Sequence, residues 1–399
     1  MAGMKPNVAD RLVVLALVVS AIATYPAAFA TSLLLKDISE AFGMALGVGG
    51  LIQTAFSVVS LVFALVLSGL SMRFTAKALL MAGLGAVVLS SVGCGFAQNA
   101  VMVLAFYALT GIGNGVIPPM GITLVSQRFA EKDRSRVIGW FVAGMTFSGI
   151  VGLPLVGFIA EHFGWRMAYL GYALPLAVLG LILSAVGIPS SPVGGSHEDK
   201  ARGMLHGYRV ILGNSSALAC LVTTVLVMTA WQAADLYSAA FYRDRFFLGL
   251  GLASLLLTTT MLFFTVASTL SARFILRFGK KPLAVAAVLL AGLMVALFTS
   301  VPELYLSAVS RILASVFVAL FYNAKVNVLM DLVPGLRGAT MSLDQASGAL
   351  GAAVGAALGG VVFTAFGYWA IGPIHGFLMV VSALVFRAFV AVQAQNVGN

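Results

Sequence analysis

SGIVGLPLVGFIAEHFGW, from Ser148 to Trp165, is followed 203 positions later by a similar stretch, GAAVGAALGGVVFTAFGY, from Gly351 to Tyr368. In this register Gly152 matches Gly355, and a Phe-Gly pair recurs near the end of both stretches. Self-similarity at a fixed shift is the mark of a repeated structural unit. These two stretches therefore predict a chain built from two related halves.

A second pair of segments supports the same register. The short basic stretch RFTAK (Arg73 to Lys77) matches RFGKK (Arg277 to Lys281) at a shift of 204 positions. One nearly constant shift over separate segments indicates that a whole multi-element unit is duplicated. Parallel repeats of this kind place a binding site near mid-membrane between the two halves, in proteins that span a bilayer.

The composition shows that the repeated unit is a membrane unit. The 399 residues are 61% hydrophobic and only 9% charged, and the mean hydropathy is +1.05. Soluble chains carry roughly a quarter charged residues, so a soluble enzyme and a nucleic-acid binder are excluded. A spanning helix needs about 20 mostly apolar residues. On that criterion the sequence predicts an all-α integral membrane protein with twelve transmembrane helices in two pseudo-symmetric six-helix halves, near 12–35, 45–70, 78–97, 100–125, 137–160, 166–188, 216–240, 250–272, 282–300, 304–329, 339–364 and 370–392.

The longest polar stretch lies near the midpoint and reads SSPVGGSHEDKARGMLHGYR. Its Ser, Gly and charged residues are typical of a linker. We therefore expect an N-terminal half at 1–189, a cytoplasmic linker at 190–214 and a C-terminal half at 215–399.

Basic residues predict the orientation in the membrane. The net charge is +10, and most Lys and Arg lie at the N-terminus and in alternate loops. By the positive-inside rule those loops face the cytoplasm. The sequence thus predicts a multi-pass protein of the cell membrane with both termini cytoplasmic. The opposite face carries only four basic residues: Lys36, Arg166, Arg243 and Arg245.

Glycines recur at helical spacing in spans 5 and 11. Small residues three or four apart let two helices approach closely in lipid, and Pro154 removes one backbone hydrogen bond from span 5. Close packing is the favoured interpretation, and a hinge between the repeats is the alternative. We also expect Pro118-Pro119 to break span 4. The predicted packing motif comprises Gly149, Gly152, Pro154, Gly157, Gly351, Gly355 and Gly360.

Twelve spans, a central linker and this repeat resemble the major facilitator superfamily over essentially the whole chain. The segment SGLSMRFTAK (Ser68 to Lys77) is similar to that family's loop between spans 2 and 3, but Met72 stands where an Asp is usual, and Leu276 does so in the second copy. The resemblance implies a cytoplasmic gate near Arg73, Lys77, Arg277, Lys280 and Lys281.

Span 5 resembles the glycine–proline motif of the family's drug and metabolite antiporters, which favours efflux. The family's motif in span 4 is matched less closely, since Tyr107 stands at the position of the usual Arg. At the shift of 204, Tyr107 corresponds to Arg311 in span 10.

Four ionisable residues stand out inside predicted spans, where such a group costs roughly 2.5–3.5 kcal/mol on insertion scales. Asp235 and Arg311 are predicted as an outer pair, ~8 Å and ~10 Å from their span ends at 1.5 Å per residue. Lys325 and Asp344 are predicted as an inner pair at the cytoplasmic gate. The family resemblance implies that spans 1, 4, 7 and 10 line the central cavity. We therefore expect Asp235 to be the proton-coupling or substrate-binding carboxylate, with a static ion pair as the alternative.

Polar and aromatic residues on those four spans are the candidates for a solute pocket, because such pockets combine apolar walls with a few orienting polar groups. They are Tyr25, Thr31, Tyr107, Asn114, Trp231, Gln232, Tyr322, Asn323 and Asn327.

The sequence therefore predicts a proton-coupled secondary transporter that exports a small organic solute, with protons and the lipid bilayer as its other partners. We expect a monomer and no cofactor, metal site or enzymatic activity. Uptake or exchange of an organic anion is the alternative, because Arg311 and Lys325 share one presumed cavity span. A lipid flippase or scramblase is the alternative from another class.

Overall fold

The computed structural model describes residues 8–189 and 207–391, and every regular element in these two ranges is helical. The predicted linker therefore lies mostly outside the described residues. Twelve long helices follow one another along the chain. They are α1 (Val8–Ala41), α2 (Leu46–Arg73), α3 (Ala76–Gly95), α4 (Ala100–Arg128), α5 (Glu131–Phe163), α6 (Trp165–Gly187), α7 (Ser215–Arg245), α8 (Leu250–Phe278), α9 (Lys280–Ser300), α10 (Leu304–Leu332), α11 (Arg337–Phe366) and α12 (Tyr368–Phe389).

Eleven of these helices, from α2 to α12, are long and apolar enough to cross a bilayer. The twelfth is α1, with 34 residues. The predicted all-α membrane fold is thereby confirmed. One predicted boundary is wrong in a way that affects the site, because α7 continues to Arg245 instead of ending near residue 240.

The repeated Phe-Gly pair makes the same turn in both halves. Gly164 ends α5 with φ 83°, and Gly367 ends α11 with φ 78°. Only glycine adopts this left-handed backbone without steric cost. The sequence repeat at a shift of 203 therefore marks a conformational repeat as well.

The prolines inside α4 and α5 do not break these helices, contrary to the expectation for Pro118-Pro119. Helix α4 continues through Pro118-Pro119, and α5 continues through Pro154. The three prolines leave the carbonyls of Asn114, Gly115 and Ile150 without an intrahelical N–H donor. Membrane helices tolerate such a loss where neighbouring groups or water supply other donors. Helix α6, which contains no interior break, includes a π-helical turn at Ala168–Ala173.

The chain divides into two compact units. Unit 1 lies within Met1–Glu198 and Leu236–Thr258, and unit 2 lies within Asp199–Asp235 and Thr259–Asn399. The end of α7 and the start of α8 belong to unit 1, whereas the predicted division into halves lay in the linker. In unit 1, α1 packs on α5 and α6, and α4 packs on α2 and α3; in unit 2, α9 packs on α10 and α12.

The motif glycines lie at close helix contacts. In unit 1 a side chain on Gly157 would meet Ser254 at the start of α8. In unit 2 side chains on Gly351 and Gly355 would meet the backbone of Val225 and Thr229 on α7. Gly149 and Gly360 are buried as well. This geometry fits the packing interpretation of the motif.

Candidate charge-pair site

The predicted outer pair forms a direct contact in unit 2. Nη2 of Arg311 on α10 lies 2.5 Å from Oδ1 of Asp235 on α7. The Arg311 side chain is 0% exposed and the Asp235 side chain is 25% exposed. Because α7 extends to Arg245, Asp235 lies ~15 Å from its end at 1.5 Å per residue, not the ~8 Å expected. The pair is therefore deeper along α7 than its sequence position indicated.

Aromatic rings hold the guanidinium of Arg311 in place. Its Cζ lies 4.1 Å from the ring centroid of Trp231 and 5.8 Å from that of Phe298. Trp231 is one helical turn before Asp235, so one face of α7 supplies both the ring and the carboxylate. A desolvated cation over an aromatic face gains about 2 kcal/mol or more. Arg311 stays charged under all conditions, which leaves Asp235 as the member of the pair that can gain and lose a proton.

The predicted inner pair is sealed inside unit 2. Nζ of Lys325 on α10 contacts Oδ1 of Asp344 on α11, and both side chains are 0% exposed. Thr224 on α7 joins them, accepting from Lys325 and donating to Asp344, each at 2.9 Å. The other oxygen of Asp344, Oδ2, is buried and accepts no hydrogen bond from the described residues. Lys325 also lies 4.6 Å from the centroid of the Tyr322 ring. The cluster ties three helices of one unit together.

The cavity candidates of unit 1 are differently placed. Thr31 and Tyr107 are fully buried, and the Tyr107 hydroxyl donates to Gln53 on α2 at 3.4 Å. Asn114 is half-buried and donates to Ser60 on α2 at 2.9 Å. The side chain of Tyr25 lies outside the described residues.

Two cavity candidates of unit 2 contact the charge pairs, Trp231 at Arg311 and Tyr322 at Lys325. Trp231, Gln232 and Tyr322 are half-buried. Asn323 donates to Ser268 on α8 at 2.9 Å, and the exposed Asn327 donates to the Asn323 carbonyl at 2.8 Å. Their role in solute binding stays a prediction.

The predicted gate residues lie at helix ends within each unit. In unit 1, Arg73 is exposed and Lys77 donates to the Ala185 carbonyl at 2.8 Å. In unit 2, Lys280 pairs with Asp331 at 2.5 Å. Arg277 is exposed and Lys281 is half-buried. Asp331, at the end of α10, therefore supplies an acidic partner that the loop sequence itself lacks.

Sequence reasoning missed a charge cluster in unit 1. Lys36 pairs with Asp244, and Arg243 makes a two-pronged contact with Asp37 at 2.5 and 2.9 Å. The cluster joins the last turns of α1 and α7. In the sequence, Lys36 and Arg243 were interpreted as signals of orientation only. The pattern that could have predicted the cluster is a basic residue followed by an aspartate at two span ends, Lys36-Asp37 and Arg243-Asp244.

No group of His, Cys, Asp or Glu suited to a metal ion occurs within 8–189 and 207–391. Long apolar helices, a structural repeat and ion pairs buried within the helices are features of multi-pass membrane transporters. The model of the Major Facilitator Superfamily matches residues 15–253 and 246–397. The chain belongs to this family, as the motifs predicted.

Two relatives and one solved structure show how far the likeness extends. The uncharacterized MFS-type transporter YceJ of Bacillus subtilis is 23% identical over 370 residues, 89% of this chain and 90% of YceJ. The uncharacterized MFS-type transporter Rv1250 of Mycobacterium tuberculosis is 30% identical over 128 residues, which are 32% of this chain and 22% of Rv1250. The crystal structure of a D-xylose-proton symporter matches with a TM-score of 0.75 at 14% identity, covering 96% of this chain and 98% of that one. At that identity the structural match establishes the fold.

Proposed function

We propose that this transporter moves a small organic solute by proton-coupled alternating access, in the direction of efflux, and that Asp235 carries the coupled proton. Family membership supports secondary transport of small solutes. The observation that carries the proposal is the unequal exposure of the Asp235–Arg311 pair, 25% against 0%. A fixed, buried cation beside a carboxylate that water reaches is the arrangement that proton loading requires.

In the proposed cycle, a solute from the cytoplasm binds while Asp235 is ionised and held by Arg311. After the site opens to the other side of the membrane, a proton neutralises the carboxylate, weakens its bond to Nη2 and displaces the solute. Arg311 keeps its charge and remains over Trp231. Release of the proton to the cytoplasm restores the ion pair and prepares the site for the next solute, so that protons move inward as the solute moves outward.

Efflux is supported by the glycine–proline pattern of α5. Cytoplasmic termini also belong to this proposal and are supported by the charge distribution of the loops. The monomeric state expected from the sequence is proposed as well. Anion uptake is the second candidate, because α10 carries Arg311 and Lys325. In the described structure each of these cations contacts a carboxylate, so an anion would have to displace an acidic side chain.

The proton-binding step can be tested without knowing the solute. Trp231 lies against Arg311, so protonation of Asp235 is expected to change its fluorescence. In purified protein we expect a pH-dependent change that disappears in Asp235→Asn and in Trp231→Phe. Asp331→Asn is the matched control, because Asp331 sits in an exposed ion pair of the same unit. A transition that is unchanged in Asp235→Asn would contradict the proposal.

Transport in proteoliposomes tests the coupling itself. A thermal-shift screen first selects a cation and an anion that stabilise the protein. With an imposed proton gradient, we expect Asp235→Asn to lose gradient-driven accumulation by at least about tenfold, as for loss of an essential charged group, while solute exchange without a gradient persists. Accumulation of the anion alone, with Asp235→Asn still active, favours the second candidate.

A further inference from the structure

A groove in unit 1, far along the chain from the charge-pair site, has a different chemistry. It lies between the first turns of α1 and α5 and has a volume of about 350 Å³. This is within the range of pockets that hold a small ligand, about 300–1,000 Å³. Its ten lining residues are Asp10, Arg11, Val14, Leu15, Val18, Phe129, Asp133, Arg136, Val137 and Trp140.

The groove exists because α1 and α5 meet only further inward. At Gly144 an added Cβ would lie 3.2 Å from the Val18 side chain and from its carbonyl oxygen. Ser148 then donates to the Ile22 carbonyl at 2.8 Å. Toward their beginnings the two helices leave space that the protein does not fill.

The groove is charged at its rim and apolar along its length. Arg11 and Arg136 lie at the helix starts, and both are exposed. Leu15 and Trp140 are about one turn deeper, with exposures of 49% and 61%. At 1.5 Å per residue, the step from Arg11 to Val18 is ~10 Å. The interfacial layer on each side of the hydrocarbon core is ~5–8 Å thick, so the rim fits the headgroup region and the floor fits the acyl chains.

The charge at the rim is slightly positive. The lining carries two arginines, Arg11 and Arg136, and two aspartates, Asp10 and Asp133. Because Arg128 of α4 lies 2.9 Å from Asp10 and neutralises it, the two arginines face one unneutralised aspartate, which gives a net charge of +1. Basic pockets between membrane helices are binding sites for anionic lipid headgroups. Tryptophan near the membrane surface suits the same interface.

We propose that this groove binds an anionic phospholipid, with its phosphate between Arg11 and Arg136 and an acyl chain along Leu15, Val18 and Trp140. The site is separate from Asp235 and does not depend on the proposed coupling. A lipid bound here connects the starts of α1 and α5 and makes the protein's stability depend on lipid headgroup charge.

Quenching of Trp140 measures this binding directly. The full chain is reconstituted with phosphatidylglycerol or phosphatidylcholine that carries brominated acyl chains. The quenching lost in Trp140→Phe is the contribution of Trp140. We expect Trp140 to prefer phosphatidylglycerol, and the preference to fall about fivefold for each arginine changed in Arg11→Gln and Arg136→Gln, in line with one basic contact to an anionic headgroup.

The matched control is the double variant Arg273→Gln, Arg387→Gln, which removes two exposed arginines from other helix ends. It is expected to keep the wild-type preference at Trp140. Equal quenching by both lipids would overturn the proposal. A preference for phosphatidylglycerol that survives in the double variant Arg11→Gln, Arg136→Gln would also overturn it. The same holds if tetraphenylphosphonium, a lipophilic cation, relieves the quenching while lipid charge has no effect on it, since the groove would then bind cations.

Discussion

Unit 1 and unit 2 are related by the sequence repeat, yet they place their charges differently. The described ion pairs of unit 1 join helix ends and stay partly exposed, as in Arg243–Asp37 with 15% and 24%. In unit 2, the Arg311 side chain and both side chains of the Lys325–Asp344 pair are entirely buried. Among the described residues, unit 1 has ion pairs at helix ends only, whereas unit 2 has buried charges in addition to its helix-end pair Lys280–Asp331.

A single matched position shows that the fold does not require the buried charge. Tyr107 of unit 1 corresponds to Arg311 of unit 2 at a shift of 204. Both side chains are 0% exposed and both reach a partner on a neighbouring helix. Because the same helix position accepts a neutral ring in one unit, the cation in the other is an addition to the scaffold. This contrast supports a functional role for the charges of unit 2.

The largest effect on stability is expected from breaking the sealed pair. Lys325→Met leaves the fully buried Asp344 carboxyl without its cation and with Thr224 as its remaining side-chain partner among the described residues. Removing one partner of a buried pair costs about 3–5 kcal/mol, so we expect that loss in the free energy of unfolding, measured by denaturation in mixed micelles. Adding Asp344→Asn to this variant removes the stranded charge and is expected to recover most of the loss.

Lys36→Met is the matched change in unit 1, since Lys36 and Asp244 are 26% and 35% exposed. Exposed pairs contribute about 0–1 kcal/mol. Equal losses for Lys36→Met and Lys325→Met would remove the contrast between the units.

An intermediate effect is expected at the repeated glycines. An added Cβ on Gly355 would lie 2.9 Å from the Thr229 carbonyl carbon and Cα, which are backbone atoms. On Gly152 it would lie 2.9 Å from the Tyr172 hydroxyl, which can move aside. Overpacking costs typically 1–3 kcal/mol, so Gly355→Ala is expected to fall in that range and Gly152→Ala below it. A larger loss in Gly152→Ala would show that α5, not α11, carries the tighter contact.

The fold follows from the sequence to a large extent because its signals are local. A run of about 20 apolar residues is a helix in a bilayer whatever its neighbours, and the predicted spans at 100, 250 and 304 begin where α4, α8 and α10 begin. The Asp235–Arg311 contact was also predictable, because an ion inside a span is costly enough to imply a partner.

The remaining features depend on which distant residues meet. The extension of α7 to Arg245 carries charges that a hydropathy criterion rejects, and they are tolerated because Asp37 and Lys36 of α1 lie opposite. The burial of Lys325 follows from three helices closing around it. The first arrangement shows in the sequence only when the dipeptides Lys36-Asp37 and Arg243-Asp244 of two distant span ends are compared, and the second leaves no local pattern.

The smallest effect, and the finest test of the contrast, concerns polar contacts that both units share. Asn114 donates to Ser60 in unit 1, and Asn323 donates to Ser268 in unit 2, both at 2.9 Å between a cavity helix and its neighbour. Interhelical hydrogen bonds in membranes contribute about 0.6 kcal/mol on average. We expect Asn114→Ala and Asn323→Ala to reduce the free energy of unfolding by similar amounts near that value, because both contacts serve the common scaffold. A different outcome is that Asn323→Ala abolishes gradient-driven transport while Asn114→Ala does not. The functional surface of unit 2 would then include polar groups of α10 besides its charges, and α10 as a whole would distinguish the two units.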